Sequence, residues 1–471
     1  MAILIKGGTL ITASEIFAAD IFVEGEKIVQ IGQNLQAENA ETVDATGKLI
    51  LPGGVDPHVH LDLPMFGTVS SDDHYTGTKA AAFGGTTTVI DFVSFDFPTF
   101  RESVGAWHKK AEKAAVDYSA HMNLTRLDDA VAAEIPSLRE MGITTLKVFT
   151  AYNNRLRLSD GDIFRALQIA RDNGMLVMLH AENGDVIEQL VTDALNTGHW
   201  QPEWHAKTRP AWGAVEATLR ACALAAQADA PLYVVHMNAA GEVDMLRYAR
   251  ERGVKVMGET CPQYLFFTED HLRRPDGAKW VCSPPMRTKA DNARLWEGLA
   301  DGTIQTIGTD HCPFFFDGTK PIVYEGKEVA ILGKELGRDD FTKIPNGLPG
   351  VQDRLPVLWT AGVGSGKLTA NQFVALTSTN PAKIFGLYPR KGALLPGSDA
   401  DIVIWDPQKK VKYGVVHSHQ RTDYNLYEGW ELTGYPEKVF LRGKLIVDGE
   451  KWLGKAGGGQ FLHRQPGAAI L

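Results

Sequence analysis

The sequence predicts an α/β fold in which a (β/α)8 TIM-like barrel carries a small β-sandwich domain built from both chain ends. Eight short apolar stretches of strand character alternate with helical patterns through the middle of the 471-residue chain. Short β-type runs with Gly and Asp turns occupy both ends. Polar side chains close several of the central stretches, which is where such barrels place their chemistry.

The same patterns divide the chain into domains. The sandwich takes its first part from residues 1–54, with runs such as ILIKGGTLIT, and its second part from 385–454, with runs such as ADIVIWDP. Residues 55–384 between them form the barrel. Residues 455–471 contain three consecutive glycines and little periodicity, which predicts a flexible tail.

The barrel elements follow in order along the chain. The strand candidates are GGVDPHVH, TTTVIDFV, YSAHMNL, TTLKVFT, MLVMLHAE, PLYVVHMN, VKVMGETC and IQTIGTDH. Helical patterns separate them, for example at 100–115 and 129–141. One helix has clear ends, since Ser159 and Asp162 resemble a capping box and Gly174 is a typical terminating glycine. Eight strands favour a closed barrel over an open sheet.

Composition and charge exclude several classes of protein. A hydrophobic content of 44% and a charged content of 22% are typical of a globular enzyme. The net charge of −9, with both signs interspersed, disfavours nucleic-acid and acidic-membrane partners. The amino terminus does not resemble a signal peptide, and no stretch approaches a membrane span. Four widely spaced cysteines predict reduced thiols and a cytoplasmic location.

Six side chains that close strand candidates form the predicted active site. They are His58, His60, Lys147, His180, His236 and Asp310. Carboxyl ends of parallel strands meet at one mouth of a barrel, so these side chains converge there. Because His58 and His60 lie two apart on a strand, both imidazoles face the same side, as binding one metal ion requires. Four imidazoles and a carboxylate around a lysine predict a two-metal hydrolase.

Each of these residues also has an ordinary structural interpretation. A His-X-His pair can be two polar residues at a strand end, and a single histidine that closes an apolar run is more often a satisfied core residue. Lys147 could reach water at the rim, and Asp310 could cap a helix. Their common position on successive strands favours the metal site. Asp62, in the loop after the first strand, could orient a ligating histidine.

Other residues could complete the chemistry. Burial and nearby metal charge would lower the pKa of Lys147, and its free amine could take up CO2 to form a carbamate that bridges two metal ions. Tyr152, in the loop beyond the same strand, could donate to an oxyanion. Ser283 and Asn346 lie in Pro- and Gly-rich loops that suit amide recognition, although such loops are usually plain turns.

These residues and their motifs resemble the cyclic amidohydrolases, most closely the dihydropyrimidinase and D-hydantoinase family. The resemblance runs nearly end to end and is most specific in PGGVDPHVHLD, SDDHYTGTKAAAFGGTTTVIDF, LKVFTAY, LHAENGD, GETCPQYL, CSPPMR, GTDHCPF and KIPNGLPG. It implies that one zinc ion is bound by His58, His60, carboxylated Lys147 and Asp310, and a second by Lys147, His180 and His236. It also implies that Tyr152, Ser283 and Asn346 hold a cyclic substrate, and that the protein is a homotetramer.

The reaction implied is hydrolysis of a dihydropyrimidine or a 5-substituted hydantoin to an N-carbamoyl amino acid, as in pyrimidine catabolism. Hydroxide bridging the two metals would attack the ring carbonyl. Asp310 would move the proton to the leaving nitrogen, and Tyr152 would stabilise the oxyanion. Manganese or cobalt could replace zinc.

Three alternatives stay open. Allantoinase and dihydroorotase are the nearest enzymatic rivals, and dihydroorotate would need a dedicated cation that the sequence does not assign. A dihydropyrimidinase-related scaffold protein would share the fold without the metal ligands, whereas this chain has all six. Asn153 stands where the resembled family often has lysine, which leaves the substrate preference open.

Overall fold

Eight parallel strands form the barrel of this computed structural model, which describes residues 2–65 and 67–468. Barrel strands β1 to β8 are Gly54–Asp56, Thr86–Val93, Asp117–Asn123, Thr145–Phe149, Leu176–His180, Leu232–Met237, Val256–Thr260 and Thr306–Ile307. Neighbours in the chain are neighbours in the sheet. A parallel bridge between Val59 and His311, just beyond the first and eighth strands, joins the two edges. The predicted barrel is confirmed.

The strands are buried because they face the barrel interior on one side and helices on the other. Every residue of Thr86–Val93 and of Leu232–Met237 is buried. Parallel strands covered on both faces have nearly continuous apolar sequences. The interior is filled by apolar side chains that include Val55, Ile90, Met178, Tyr233 and Met257. A charged or imidazole side chain on such a buried strand is therefore unfavourable unless it is paired or binds something.

Helices connect the strands and cover the outside. The α-helices of the described part are His74–Phe83, Phe100–Ala111, Asp129–Glu134, Ser137–Glu140, Asp160–Asp172, Gly184–Asn196, Glu203–Lys207, Ala211–Ala228, Ala240–Arg250, Pro262–Phe266, Lys289–Ala300, Arg354–Leu358, Ala370–Val374 and Asn380–Ile384. The helix predicted at 129–141 is split around Pro136, which has no N–H to donate.

The helix Asp160–Asp172 begins and ends where the sequence places its signals. Ser159 Oγ accepts a hydrogen bond from the Asp162 N–H at 3.1 Å. The Asp162 carboxylate accepts from the Ser159 hydroxyl at 2.7 Å and not from its backbone, so only half of the capping box forms. Gly174 adopts a φ of +62°, which glycine tolerates without strain.

Both chain ends build a second, nine-stranded sheet with its own apolar core. Its strands are Ala2–Ile11, Ile16–Glu24, Lys27–Gly32, Glu41–Asp44, Leu49–Pro52, Ile402–Lys412, Glu431–Leu441, Lys444–Asp448 and Lys451–Trp452. The two ends meet where Leu49–Pro52 pairs antiparallel with Ile402–Lys412. The predicted extra β-domain from both termini is thus present. Two short hairpins, Pro64–Met65 with Thr68–Val69 and Ile322–Tyr324 with Lys327–Val329, lie outside both sheets.

Residues 455–468 are not the flexible tail that the sequence predicted for 455–471. Residues 455–468 lie along the barrel, where Gly459 N donates to Ala114 O at 2.9 Å and Leu462 N donates to Tyr118 O at 2.7 Å. Leu462 is fully buried in the apolar interior cluster of the barrel. The segment lacks periodicity because it gains its contacts from the barrel and not from its own secondary structure. Residues 469–471 of that prediction lie outside the described residues.

Across residues 2–65 and 67–468, none of the helices has both the length and the apolar character needed to cross a membrane.

Candidate metal centre

The predicted site residues lie at the carboxyl-terminal mouth of the barrel. His58 and His60 follow β1, and Asp310 follows β8. Lys147 lies in β4, whereas His180 ends β5 and His236 lies near the end of β6. Because all eight strands are parallel, these ends share one rim.

The first cluster consists of His58, His60 and Asp310. Asp310 Oδ1 lies 3.2 Å from His58 Nε2 and 3.1 Å from His60 Nε2. One possible ligand atom from each residue lies within 4.8 Å of the other two. Asp310 has a φ of +52°, a strained conformation for a non-glycine residue. Such strain is found at sites where the side chain must point in one direction.

Glu259 fixes the orientation of His58 from behind. Its Oε1 lies 2.6 Å from His58 Nδ1, and its Oε2 accepts from the Tyr233 hydroxyl at 2.9 Å. The Nδ1–H therefore donates to the carboxylate, and the lone pair of Nε2 points towards Asp310. Within the described residues, His58 Nε2 is buried without a hydrogen-bond partner. A lone pair 3.2 Å from a carboxylate oxygen is repulsive unless a proton or a metal cation lies between the two atoms, and either would fit there.

The protonation of His58 reflects the same negative surroundings. Burial lowers the pKa of His58, but the carboxylates of Glu259 and Asp310 raise it overall to about 9. A proton and a divalent cation are thus alternative ways of completing this cluster.

The second cluster consists of His180 and His236. His180 Nδ1 lies 3.0 Å from His236 Nε2, and His180 Nε2 lies 2.8 Å from Glu182 Oε2. Glu182 thus accepts the hydrogen bond from the Nε2–H of His180, and the lone pair on His180 Nδ1 faces the imidazole of His236. Burial lowers the pKa of both histidines, which favours the neutral form that binds metals. His236 has a φ of +38°, and its buried Nδ1 has no hydrogen-bond partner among the described residues.

Lys147 lies near histidines of both clusters. It is 2% exposed, and its ammonium lies 5.2 Å from the centre of the Phe92 ring and 5.3 Å from that of Phe149. No carboxylate of the described residues lies within 4.0 Å of it. Burial lowers the pKa of Lys147 to about 8, although Asp310 and Glu259 oppose the shift. Its charge also lowers the pKa values of the histidines in both clusters.

The three predicted substrate residues lie together beside the second cluster. Asn346 Nδ2 donates to Ser283 Oγ at 3.0 Å, and Ser283 lies close enough to Tyr152 to oppose the rise in the pKa of its hydroxyl. The Tyr152 and His180 rings lie 5.3 Å apart between centroids. Burial raises the pKa of Tyr152 to about 12, so its hydroxyl keeps the proton it would donate.

Comparison with known proteins decides the family. The model of the amidohydrolase family matches residues 49–446. The chain belongs to the amidohydrolase family. A D-hydantoinase from Geobacillus stearothermophilus is 45% identical and aligns over 100% of this chain and 98% of its own length. A D-hydantoinase from Streptomyces coelicolor is 43% identical, with 98% and 97% covered. The crystal structure of a dihydropyrimidinase from Brevibacillus agri superposes with a TM-score of 0.95 at 47% identity, covering 99% of this chain and 100% of that one.

Membership of this family makes the protein a hydrolase and implies a metal centre. His58, His60 and Asp310 are a candidate His/Asp metal site.

Sequence reasoning missed the acids that orient the histidines. Glu259 and Glu182 do this, and Arg209 Nη1 donates to Glu182 Oε2 at 2.7 Å. Burial raises the pKa of Glu182, but Arg209 and His180 lower it overall to about 2. The sequence carried a signal for both acids: Glu259 lies in the apolar strand Val256–Thr260 and Glu182 lies two residues after the strand Leu176–His180, and burying an unpaired carboxylate at such places is unfavourable. Asp62 does not have the predicted orienting role, because its carboxylate faces Lys110 at 3.9 Å.

Proposed function

We propose that this amidohydrolase hydrolyses the cyclic amide bond of dihydropyrimidines and 5-substituted hydantoins, giving N-carbamoyl amino acids. The proposal rests on the cluster of His58, His60 and Asp310 at one mouth of the barrel, in which the buried His58 Nε2 has no hydrogen-bond partner among the described residues, and on the hydrogen-bonded substrate cluster beside it. The full-length relatives named D-hydantoinase and dihydropyrimidinase support the substrate class.

Two divalent cations would complete the site. His58, His60, Lys147 and Asp310 would hold one, and Lys147, His180 and His236 the other, with Lys147 as N6-carboxylysine. The buried amine of Lys147, with a pKa near 8, supports carbamate formation because a free amine is the reactive form. Zinc is the metal that imidazole and carboxylate ligands favour, and manganese or cobalt would also fit. When bound, such a pair supplies Lewis acidity and lowers the pKa of water towards neutrality.

The proton transfers belong to Asp310 in this proposal. Its carboxylate lies at the centre of the first cluster, within 3.2 Å of both histidines. From there it would accept the proton of the attacking water and deliver it to the ring nitrogen as the C–N bond breaks.

The substrate cluster would hold the ring. The Tyr152 hydroxyl would donate to the developing oxyanion, while the backbone at Ser283 and Asn346 would bind the amide edges. Tyr152→Phe is expected to lower kcat about 100-fold with unchanged metal content, because it removes one oxyanion donor. Steady-state kinetics and elemental analysis check this, and unchanged kcat would remove Tyr152 from that role.

A four-substrate assay tests the function. Purified protein is offered 5,6-dihydrouracil, 5-phenylhydantoin, allantoin and dihydroorotate, and the N-carbamoyl products are separated by chromatography. We expect turnover of the first two. Hydrolysis of allantoin or dihydroorotate alone would replace the proposal with the corresponding rival, and a folded protein that binds no divalent metal would favour the scaffold.

Location and assembly complete the proposal. A cytoplasmic location is supported by the four cysteines, which are buried free thiols. Assembly as a homotetramer rests on the family resemblance, and sedimentation analysis of the purified protein tests it.

A further inference from the structure

Lys334 is a buried lysine outside the barrel strands whose ammonium reaches the loops of the substrate cluster. It begins the short 3-10 helix Lys334–Gly337 and is 1% exposed. Its Nζ donates to the backbone carbonyls of Val281 and Pro345 at 2.9 and 3.0 Å. Its own backbone N–H is bound to Phe315 O at 2.7 Å, which fixes the base of the side chain.

The two carbonyls adjoin the two residues proposed to bind substrate through their main chain. Val281 precedes Ser283 by two residues, and Pro345 immediately precedes Asn346. The loops also touch directly, because Gly347 N donates to Val281 O at 3.2 Å and Asn346 Nδ2 donates to Ser283 Oγ at 3.0 Å. Lys334 is thus the third connection between the same pair of loops.

The buried amine of Lys334 depends on backbone carbonyls for its hydrogen bonds. No carboxylate of the described residues lies within 4.0 Å of its ammonium, so backbone dipoles alone receive the charge. Burial lowers the pKa of Lys334 to about 7. Among the described residues, Pro345 O has no other donor, whereas Val281 O also has Gly347. Loss of the amine would therefore remove one of the three connections between the loops and leave Pro345 O, next to Asn346, without its donor.

We propose that Lys334 is a positioning residue, which fixes the spacing between the backbone at Ser283 and the backbone at Asn346 so that both edges of a cyclic diamide bind at once. This inference rests on the proposed function of those two loops. Lys334 does not touch the metal-binding residues, and its effect is therefore on substrate binding rather than on metal content.

The experiment compares Lys334→Met with Lys343→Met. Lys343 belongs to the next 3-10 turn and is 69% exposed, and its one ion-pair partner among the described residues is Asp340 at 3.2 Å. Kinetics are measured with 5-phenylhydantoin and 5,6-dihydrouracil, together with metal content and the unfolding midpoint. In Lys334→Met we expect KM to rise at least about tenfold while kcat stays within about threefold and metal content is unchanged. Lys343→Met should match the wild type.

A second variant keeps the test decisive. Lys334→Gln retains an N–H donor and should show a smaller rise in KM than Lys334→Met. Wild-type KM in Lys334→Met, an equal loss in kcat, or failure of both variants to fold would overturn the positioning role. Failure of the proposed function is distinguishable, because the wild type and Lys343→Met would then turn over neither ring.

Discussion

Two buried groups of charges lie at opposite ends of the same barrel and differ in how completely they are paired. At the amino-terminal end, the Lys391 ammonium contacts carboxylates of Asp117, Asp401 and Asp399 at 2.6, 2.8 and 3.0 Å. Arg442 also binds Asp117. At the carboxyl-terminal end, Lys147 is equally buried but has no carboxylate within ion-pair distance among the described residues. The same residue type is thus fully paired at one end and uncompensated at the other.

The presence or absence of carboxylate partners distinguishes a structural charge cluster, around Lys391, from a functional one, around Lys147. Burying a charge is unfavourable unless it is paired, and the carboxylates around Lys391 offset the desolvation of its ammonium within the folded chain. Burial lowers the pKa of Lys391, yet the three aspartates raise it overall, whereas the pKa of Lys147 falls to about 8. Among the described residues, two buried ring nitrogens at the Lys147 end, His58 Nε2 and His236 Nδ1, have no hydrogen-bond partner. The group of charges around Lys147 therefore needs a bound ion or ligand to become fully paired.

Among the substitutions at the two ends of the barrel, Lys147→Ala should have the largest effect on activity. We expect kcat/KM to fall about ten-thousandfold, with loss of metal at both positions, because the shared ligand disappears. Removing an uncompensated charge should leave the unfolding free energy of the metal-free protein unchanged or higher. Kinetics, elemental analysis and denaturant unfolding check the three outcomes. Normal turnover by this variant would refute the carbamate.

Lys391→Met should behave in the opposite way. Three carboxylates would lose their buried cation, so we expect the free energy of unfolding to fall by about 3–5 kcal/mol. The folded fraction should keep the wild-type kcat and KM, because the network lies at the other end of the barrel. Urea unfolding of the metal-free protein measures the first and steady-state kinetics the second. A stability equal to that of Lys147→Ala would break the contrast between the two ends.

Glu259→Gln tests whether His58 is oriented from behind. The amide can still meet His58 Nδ1 but no longer fixes its protonation, so we expect metal affinity to fall roughly 10–100-fold. Competition with a chelator measures the affinity. Glu251→Gln, at a side chain that is 74% exposed, is the matched control. Equal affinities in the two variants would exclude the orienting role.

Acid sensitivity at the paired end is the smallest expected effect. Burial raises the pKa of Asp399, but Lys391 and Lys27 lower it overall to about 2, below its ordinary value of 3.8. A carboxylate with a lowered pKa stabilises the fold above about pH 4 and loses that contribution as the pH falls towards 2. The loss should reach about 2 kcal/mol. Unfolding of metal-free protein between pH 5 and 2.5 should show a shallower decline in Asp399→Asn, and an identical decline would contradict the assignment.

Much of the site could be predicted because the apolar strand patterns show where each strand ends and which side chains lie at that end. TTTVIDFV coincides with the strand Thr86–Val93, and His180 ends its predicted strand. Parallel strands then bring such ends to one rim whatever the loops between them do. The carboxylates behind the histidines were harder to assign, since Glu259 lies 201 residues from His58 and its role depends on a cross-barrel contact.

Local periodicity and spacing were enough to predict the alternation of strands and helices, the sheet built from both termini and the six polar strand ends. The pairing of the buried charges, the packing of residues 455–468 along the barrel and the bridge from Lys334 to the loops of Ser283 and Asn346 were visible only in the folded protein. Such contacts join residues distant in the chain, and their free energy depends on burial and distance, which exist only after folding.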